Sequence, residues 1–535
     1  MTKYAFVIDQ RKCIGCHACT VACKAEHDVP IGVYRTWVKY IEKGAFPNTR
    51  RYFLVNRCNH CDDAPCVKIC PTRALYKRSD GIVDFDASRC IGCKSCMQAC
   101  PYDALYIDPA SGTAAKCNYC AHRTELGLEP ACVVVCPERA IIAGDLQDPT
   151  SQLAKILARE PVRTRKPEQG TGPNVYYLGA EEAAIDPELA DEGLAHMTMW
   201  STLLQPGHTD ERAINPARSL QPPASQSRPA AGAHQPASAA RAHVVYDTPK
   251  NTAPWGWRVS TYLATKSIGA GAPLVAAPGL ALYGTGGAVQ GLFGSGAAIL
   301  GGFFLACTLL LLVADLKRPE RVLYLLTKAN PTSWLVWGGY LLALCGLLEA
   351  AWFCCALLGQ FTALRWLLAP TALCGAGVAC YTAFLFGQAE GRDFWQGPLL
   401  LPILFVQAVL AGSATLGILA LALHSGSEPV HFLTLLLLLA VLLHAALVLC
   451  ELYGPHPNRH VAQAARYIGQ GRLRMLFWPV CIGAGTLLPV ALLVTGLALP
   501  AAQSVLLALA ALFVLPGLLV YEQCFVKAGQ VVPLS

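Results

Sequence analysis

The sequence predicts a chain of two unlike parts, an α+β domain built around cysteines and an all-α bundle of eight membrane-crossing helices, joined by a flexible linker. Three observations predict it. Hydrophobic residues make up 54% of the 535 residues and charged ones 14%, against roughly 25% charged in soluble domains, so much of the chain faces lipid. Of the 25 cysteines, sixteen lie between Cys13 and Cys136 and nine are scattered from Cys307 to Cys524. Between the two regions runs QPPASQSRPAAGAHQPASAARA, which has almost no large apolar residues. A chain of this length exceeds one core and divides into at least two domains.

The first region, residues 1–190, carries short strands such as KYAFVID and GIVDFD between its cysteine groups. Its opening, MTKYAFVIDQRKC, has no apolar stretch of signal-peptide length, and Arg50-Arg51 lies too deep to act as a twin-arginine signal. The expectation is a cytoplasmic domain. A reducing compartment argues against eight disulfides and for metal ligation.

The cysteines form four groups. Cys13, Cys16, Cys19 and Cys23 have the spacing C-x2-C-x2-C-x3-C, and Cys90, Cys93, Cys96 and Cys100 repeat it. Cys58, Cys61, Cys66 and Cys70 stretch one gap, as do Cys117, Cys120, Cys132 and Cys136. Three groups end in a near-repeat, CPTRAL, CPYDAL and CPERAI, whereas the first ends in Cys23-Lys24. Three thiolates in one tight loop wrap three corners of a cubic iron–sulfur cluster. The fourth points elsewhere and ligates a second cluster, so the groups work in pairs and sixteen ligands give four [4Fe–4S] clusters. Zinc ribbons also use C-x2-C, but as two pairs rather than a triplet followed by x3-C-P.

From CIGCHACTVACK through the four groups to GTGPNVYYLG (170–179), residues 1 to about 180 resemble the four-cluster iron–sulfur subunits of the dimethyl sulfoxide reductase family of molybdenum enzymes. The resemblance implies a ferredoxin-like fold of two pseudo-symmetric dicluster units. It also implies a pairing that spacing alone leaves open. Cys13, Cys16, Cys19 and Cys136 would hold one cluster, and Cys117, Cys120, Cys132 and Cys23 its neighbour. Cys58, Cys61, Cys66 and Cys100 would hold a third, and Cys90, Cys93, Cys96 and Cys70 a fourth. Some relatives carry Trp at the second position of the third group; here Cys93 is intact.

Residues 191–254 read as a tether, because such a composition cannot bury enough surface to offset its ordering entropy. From 255 to 535, apolar runs fall near 258–284, 290–314, 334–358, 364–387, 398–423, 430–453, 474–498 and 502–526, each long enough to cross about 30 Å of hydrocarbon. The connecting loops on the tether side carry Arg258, Lys317, Arg318, Arg321, Lys328, Arg392, Arg459, Arg466, Arg472, Arg474 and Lys527, and the opposite side carries Arg365. That bias predicts that the cysteine domain and both termini of this multi-pass protein are cytoplasmic, and the expected location is a bacterial inner membrane. APWGWRVSTYLATKSIGAG (253–271) and ADLKRPERVLYLLTKANPTSW (314–334) are similar to the NrfD-like membrane subunits of the polysulfide reductase family. That resemblance implies an eight-helix anchor with a quinone pocket near the face that meets the iron–sulfur part.

A charge inside a membrane helix costs about 2.5–3.5 kcal/mol on insertion scales and therefore has a partner or a task. Lys266, Asp315, Tyr381, His444 and Glu451 are the candidates for binding quinone or moving its protons, since Lys, His, Tyr and carboxylates serve as hydrogen-bond donors and proton carriers. Each has a plainer reading as an ion-pair, capping or packing residue. Glu349, deeper toward the far side, is a lesser proton-relay candidate. The nine membrane-domain cysteines read as small apolar fillers. Of His424, His431, His444, His456 and His460 only His444 lies well inside a helix, so no haem is expected.

These features predict an electron-transfer and anchor subunit of a molybdopterin oxidoreductase complex. The chain shows no nucleophile–base pair, nucleotide-binding glycine loop or molybdopterin domain, so substrate conversion is expected on a catalytic partner that carries the molybdopterin, with no nucleic-acid partner. The rival readings are a redox-linked proton pump and a transporter with a regulatory ferredoxin.

Overall fold

The structure, a computed structural model, describes residues 2–45, 47–191, 242–248, 254–284 and 286–535. The strands of the cysteine domain run in chain order β1 (Tyr4–Asp9), β2 (Thr36–Ala45), β3 (Asn48–Arg57), β4 (Leu75–Lys77), β5 (Val83–Phe85), β6 (Leu105–Ile107) and β7 (Ala114–Lys116). They continue with β8 (Ile141–Asp145), β9 (Val162–Arg163), β10 (Val175–Leu178), β11 (Ala190–Asp191) and β12 (Ala242–Tyr246). Both expected strands are present, as β1 and β5. One sheet has the order β8-β1-β10-β9 and the other β11-β12-β2-β3, while β4–β5 and β6–β7 are separate hairpins.

Pairing of β1 with β8 does more than build a sheet. β1 runs into Cys13 and β8 leaves Cys136, so their antiparallel register brings the first and fourth cysteine groups side by side. The second and third groups meet through the short helices Pro65–Ile69 and Ser95–Ala99, which pack together. Each group also repeats one backbone device. The residue before its second cysteine is left-handed, at Gly15, His60, Gly92 and Tyr119. Each Cys-Pro segment adds another such residue, at Arg73, Asp103 and Arg139. Non-glycine residues seldom adopt this conformation, and here the cysteine loops impose it.

Most of the expected tether, residues 192–241 and 249–253, lies outside the described residues. Its segment 242–248 contributes β12, which pairs antiparallel to β2 with Val244 opposite Ile41. Val244, Val245 and Tyr246 supply the apolar content that the rest of the stretch lacks, which is why this part joins a sheet.

Eight long helices follow: α1 (Trp257–Tyr283), α2 (Gly287–Asp315), α3 (Trp334–Leu357), α4 (Phe361–Gly387), α5 (Leu400–Ala422), α6 (Ser427–Tyr453), α7 (Arg474–Ala498) and α8 (Pro500–Ala528). Seven of them, α2 to α8, are long and apolar enough to cross a membrane. α1 is as long but carries Lys266, two prolines and several glycines, and it packs against α2, α4, α5 and α8. Small residues let these helices touch. A Cβ on Gly271 of α1 would collide with the Ala408 carbonyl oxygen of α5, and one on Gly485 of α7 would lie 2.8 Å from the Gly517 Cα of α8. α7 opens with a π-helical stretch, Phe477–Leu487. An amphipathic helix, Arg459–Gly469, lies between α6 and α7 where the sequence suggested only a loop.

The two domains are docked, and the bundle holds the cysteine loops largely by their main chain. Asn330 Nδ2 donates to the Cys70 carbonyl at 2.8 Å, Arg321 Nη1 to Cys90 O at 2.9 Å, and Trp255 Nε1 to Cys93 O at 3.3 Å. Gly391 lies so close to the carbonyls of Gln98 and Cys100 that a Cβ would approach each to 2.8 Å. Arg392 adds Nε to Gln98 Oε1 at 2.9 Å and Nη1 to Val532 O at 3.0 Å. Several loop arginines that weigh in the topology argument are therefore also docking residues.

Candidate functional site

Folding gathers the sixteen cysteines into four sets. One cavity is lined by Cys13, Cys16, Cys19 and Cys136, and another by Cys70, Cys90, Cys93 and Cys96. Cys117, Cys120 and Cys132 are the thiols that act on Cys23, and Cys58, Cys61 and Cys100 those that act on Cys66. Among the described residues no three Cys, His, Asp or Glu side chains converge as a single metal ion requires.

Burial, reinforced by neighbouring thiols, pushes Cys93 and Cys120 up to about 12, while burial outweighs the pull of Arg57 to raise Cys19 to about 11. Such thiols stay protonated near neutrality unless a metal holds them as thiolates. Donors already aim at the sulfurs. Gly92 N and Ala114 N reach Cys90 Sγ at 3.4 and 3.3 Å, Ala140 N reaches Cys136 Sγ at 3.2 Å, and His27 Nε2 lies 3.2 Å from Cys120 Sγ. Buried Thr20, Asn59 and Ser95 have side-chain polar atoms with no hydrogen-bond partner. The donor set, the two cysteine-lined cavities and these orphaned polar atoms fit iron–sulfur clusters, whose sulfurs accept such bonds and whose potentials respond to them.

In the bundle the five candidates fall into two linked neighbourhoods. Lys266 is fully buried, with Nζ donating to Ala379 O at 2.9 Å and to Thr382 Oγ1 at 2.8 Å, and lying 5.5 Å from the Tyr381 ring centroid. Asp315 pairs with Lys94 of the cysteine domain at 2.7 Å, and Tyr262 stands within electrostatic reach of Asp315, Tyr381 and Glu522. In the second neighbourhood His444 Nε2 lies 3.3 Å from Gln407 Nε2, its ring 5.2 Å from that of Tyr521, and the Tyr521 hydroxyl donates to Glu451 Oε2 at 3.3 Å. Glu522 joins the two, within electrostatic reach of both Gln407 and Lys266.

Sequence reading missed Tyr262, Gln407, Tyr521 and Glu522. Glu522 was legible as a carboxylate inside an apolar run. Gln407 Oε1, Glu451 Oε1 and Glu522 Oε1 are buried without a hydrogen-bond partner. Next to them, His444, Tyr521 and Thr486 supply the polar side chains of a mainly apolar pocket lined by Val441, Cys481, Val514 and Leu518. Glu349 stands apart, its Oε1 accepting from Cys345 Sγ at 3.6 Å and its Oε2 unpartnered against Gly301. His431 faces Gln503 and His460 faces Asp393, so neither pairs with His444 across the bundle.

A packed aromatic path joins the cysteine domain to this pocket. Trp255, bonded to the Cys93 carbonyl, stacks on Trp395 at 5.4 Å between centroids, and Phe386 lies 4.8 Å from Trp395 and 5.7 Å from Phe525. Phe525 lies 6.2 Å from Tyr521.

Comparison with known proteins bears on both domains. Residues 12–75 and 49–146 match families described as 4Fe-4S dicluster domains. The sequence is 45% identical over 202 residues to a tetrathionate reductase subunit of Salmonella typhimurium, covering 37% of this chain and 80% of that protein. It is 41% identical to a polysulfide reductase subunit of Wolinella succinogenes, over 34% of this chain and 98% of that protein. A putative dimethyl sulfoxide reductase iron-sulfur subunit of Halobacterium salinarum is 40% identical over 34% of this chain and 80% of its own length. The bundle has its own match, since residues 247–533 fit the family described as polysulphide reductase, NrfD. The protein belongs to that NrfD family, and it carries its iron–sulfur dicluster domains on the same polypeptide as the membrane part.

Proposed function

We propose that this chain is the electron-transfer and membrane-anchor subunit of a molybdopterin oxidoreductase complex, relaying electrons through four [4Fe–4S] clusters between a catalytic partner and the membrane quinone pool. The clusters, when bound, supply one-electron carriers whose potentials the protein sets. In this reading Cys13, Cys16, Cys19 and Cys136 hold the outermost cluster, and Cys16, the one exposed cysteine of the sixteen, faces the partner. Cys23, Cys117, Cys120 and Cys132 hold the next, Cys58, Cys61, Cys66 and Cys100 the third, and Cys70, Cys90, Cys93 and Cys96 the one against the bundle.

The observation that carries the reading is the last set's position. The bundle binds the carbonyls of Cys70, Cys90 and Cys93, and the aromatic path from Trp255 ends beside His444 and Tyr521. There His444, Tyr521, Glu451 and Gln407 hold the quinone ring, and Glu522 with Lys266 and Tyr381 stores or passes its protons. Asp315 serves chiefly to dock the domains. α1 acts as an eighth crossing, which puts both ends of the bundle on one side. The Lys/Arg bias of the loops supports a cytoplasmic cysteine domain in a bacterial inner membrane.

Quinol added to purified membranes is expected to reduce the clusters, and anaerobically isolated protein to contain about sixteen irons per chain. Zinc in place of iron, or clusters indifferent to quinol, overturns the reading. Protease should reach the cysteine domain in inverted but not in right-side-out vesicles.

A further inference from the structure

Arg57 ends β3, immediately before Cys58, and is 1% exposed. Its Nη1 donates to Cys132 Sγ at 3.3 Å, and its guanidinium carbon lies 4.4 Å from the centroid of the Phe6 ring. Cys19 and Cys117 are further thiols within its electrostatic reach. Arg57 therefore stands between the Cys13/Cys16/Cys19/Cys136 set and the Cys23/Cys117/Cys120/Cys132 set. Among the described residues it forms no ion pair with a carboxylate, and its Nε and Nη2 have no hydrogen-bond partner. A guanidinium that stays charged, is fully desolvated and lacks a counter-ion is among the costliest groups a protein can bury. Two N–H groups left without acceptors add to that cost.

What balances it must be anionic, must accept hydrogen bonds and must lie on both sides. A cluster with its four thiolates meets all three requirements, because its net charge is negative and its sulfurs accept. We propose that Arg57 is a positioning residue shared by two neighbouring clusters, its permanent charge holding both at higher reduction potential than the other pair. Reduction adds one electron, and so one negative charge, to a cluster; a fixed cation beside it favours that state. The outer half of the relay then retains electrons more readily than the half against the membrane. This inference rests on the four-cluster reading.

The test is an EPR-monitored redox titration of the full chain in purified membranes, with iron analysis of each variant. In Arg57→Gln, two of the four couples should move to lower potential, raising the oxidised-to-reduced ratio at fixed potential at least tenfold, or ~59 mV for a one-electron couple. Arg57→Lys, which keeps the charge, should restore most of the shift. Four unmoved couples in an iron-replete Arg57→Gln chain overturn the proposal, and so do four that move together. If Arg57→Gln loses iron, Arg57→Lys decides. Full iron with near-native potentials supports the charge; loss of iron there too shows that shape matters and overturns it. A wild-type chain with far fewer than about sixteen irons defeats the four-cluster reading instead.

Discussion

Asp315→Asn tests what holds the two domains in register. Lys94 Nζ and Asp315 Oδ2 are 2.7 Å apart, with side chains 9% and 17% exposed. At that separation Coulomb's law gives about 6 kcal/mol at an effective dielectric of 20 and about 1.5 kcal/mol in bulk water. Desolvation offsets much of this in the intact pair, but removing one partner strands the other charge at a cost of about 3–5 kcal/mol. Lys94 follows Cys93 and Asp315 ends α2, so that cost falls on docking. Hydrogen exchange reads it directly, because Lys317 N and Arg318 N donate across the interface to Gly92 O and Ile91 O at 3.3 and 3.2 Å, and Asn330 N donates to Pro71 O at 2.8 Å. In Asp315→Asn these amides should exchange faster by about two to nearly four orders of magnitude. The double variant Lys94→Met/Asp315→Leu should recover protection to within about tenfold, since apolar replacement of a buried pair is often neutral. If Asp315→Asn left exchange unchanged yet abolished quinol-dependent reduction, Asp315 would be a quinone residue and the docking argument would be refuted.

Three further outcomes are expected. Burial, with Arg165 nearby, pulls Lys166 down from 10.5 to about 8; between those values the unfolded chain holds a proton that the folded chain has lost, so stability rises with pH across that window. The gain is about 3 kcal/mol, and thermal unfolding of Lys166→Met, compared with wild type at pH 7.5 and 10, should lack it. Gly271→Ala drives a methyl into the Ala408 carbonyl where α1 crosses α5 and should cost about 1–3 kcal/mol, seen as a lower melting temperature in detergent; an unchanged melt would mean the crossing is loose. Glu522→Gln should slow quinol-dependent cluster reduction at least tenfold with iron content intact, whereas an unaffected rate would remove Glu522 from the quinone site.

Much of this architecture was legible in the sequence, and the misses have physical causes. Membrane helices announce themselves by length and apolarity, and the expected 334–358 and 474–498 differ from Trp334–Leu357 and Arg474–Ala498 by at most one residue. α1 is legible only as a long run, because Lys266 and its glycines dilute its hydropathy, and the same features make it the helix that packs centrally. The left-handed backbone before the second cysteine can be guessed at Gly15 and Gly92 but not at His60 and Tyr119, where the loop overrides residue preference. Spacing could not say that the first cysteine group lies beside the fourth, since β1–β8 pairing decides it. Nor could it reveal that Asp315 meets Lys94, a partner in the other domain. The Arg459–Gly469 helix was lost among loop charges because only its packed face, with Ala464, Ala465 and Ile468, is apolar.

The hold of the bundle on the carbonyls of Cys70, Cys90 and Cys93 has an evolutionary corollary. A clasp made on main-chain oxygens is largely blind to side-chain identity and reads the contour of the cysteine loop instead. Substitutions can accumulate around those loops without loosening the joint, provided the contour survives and Lys94 and Gln98, whose side chains meet Asp315 and Arg392, are kept. A ferredoxin module transplanted from a separately encoded relative should therefore seat on this bundle if it carries those two side chains, and fusing two genes would have demanded little redesign of the rest of the surface between them.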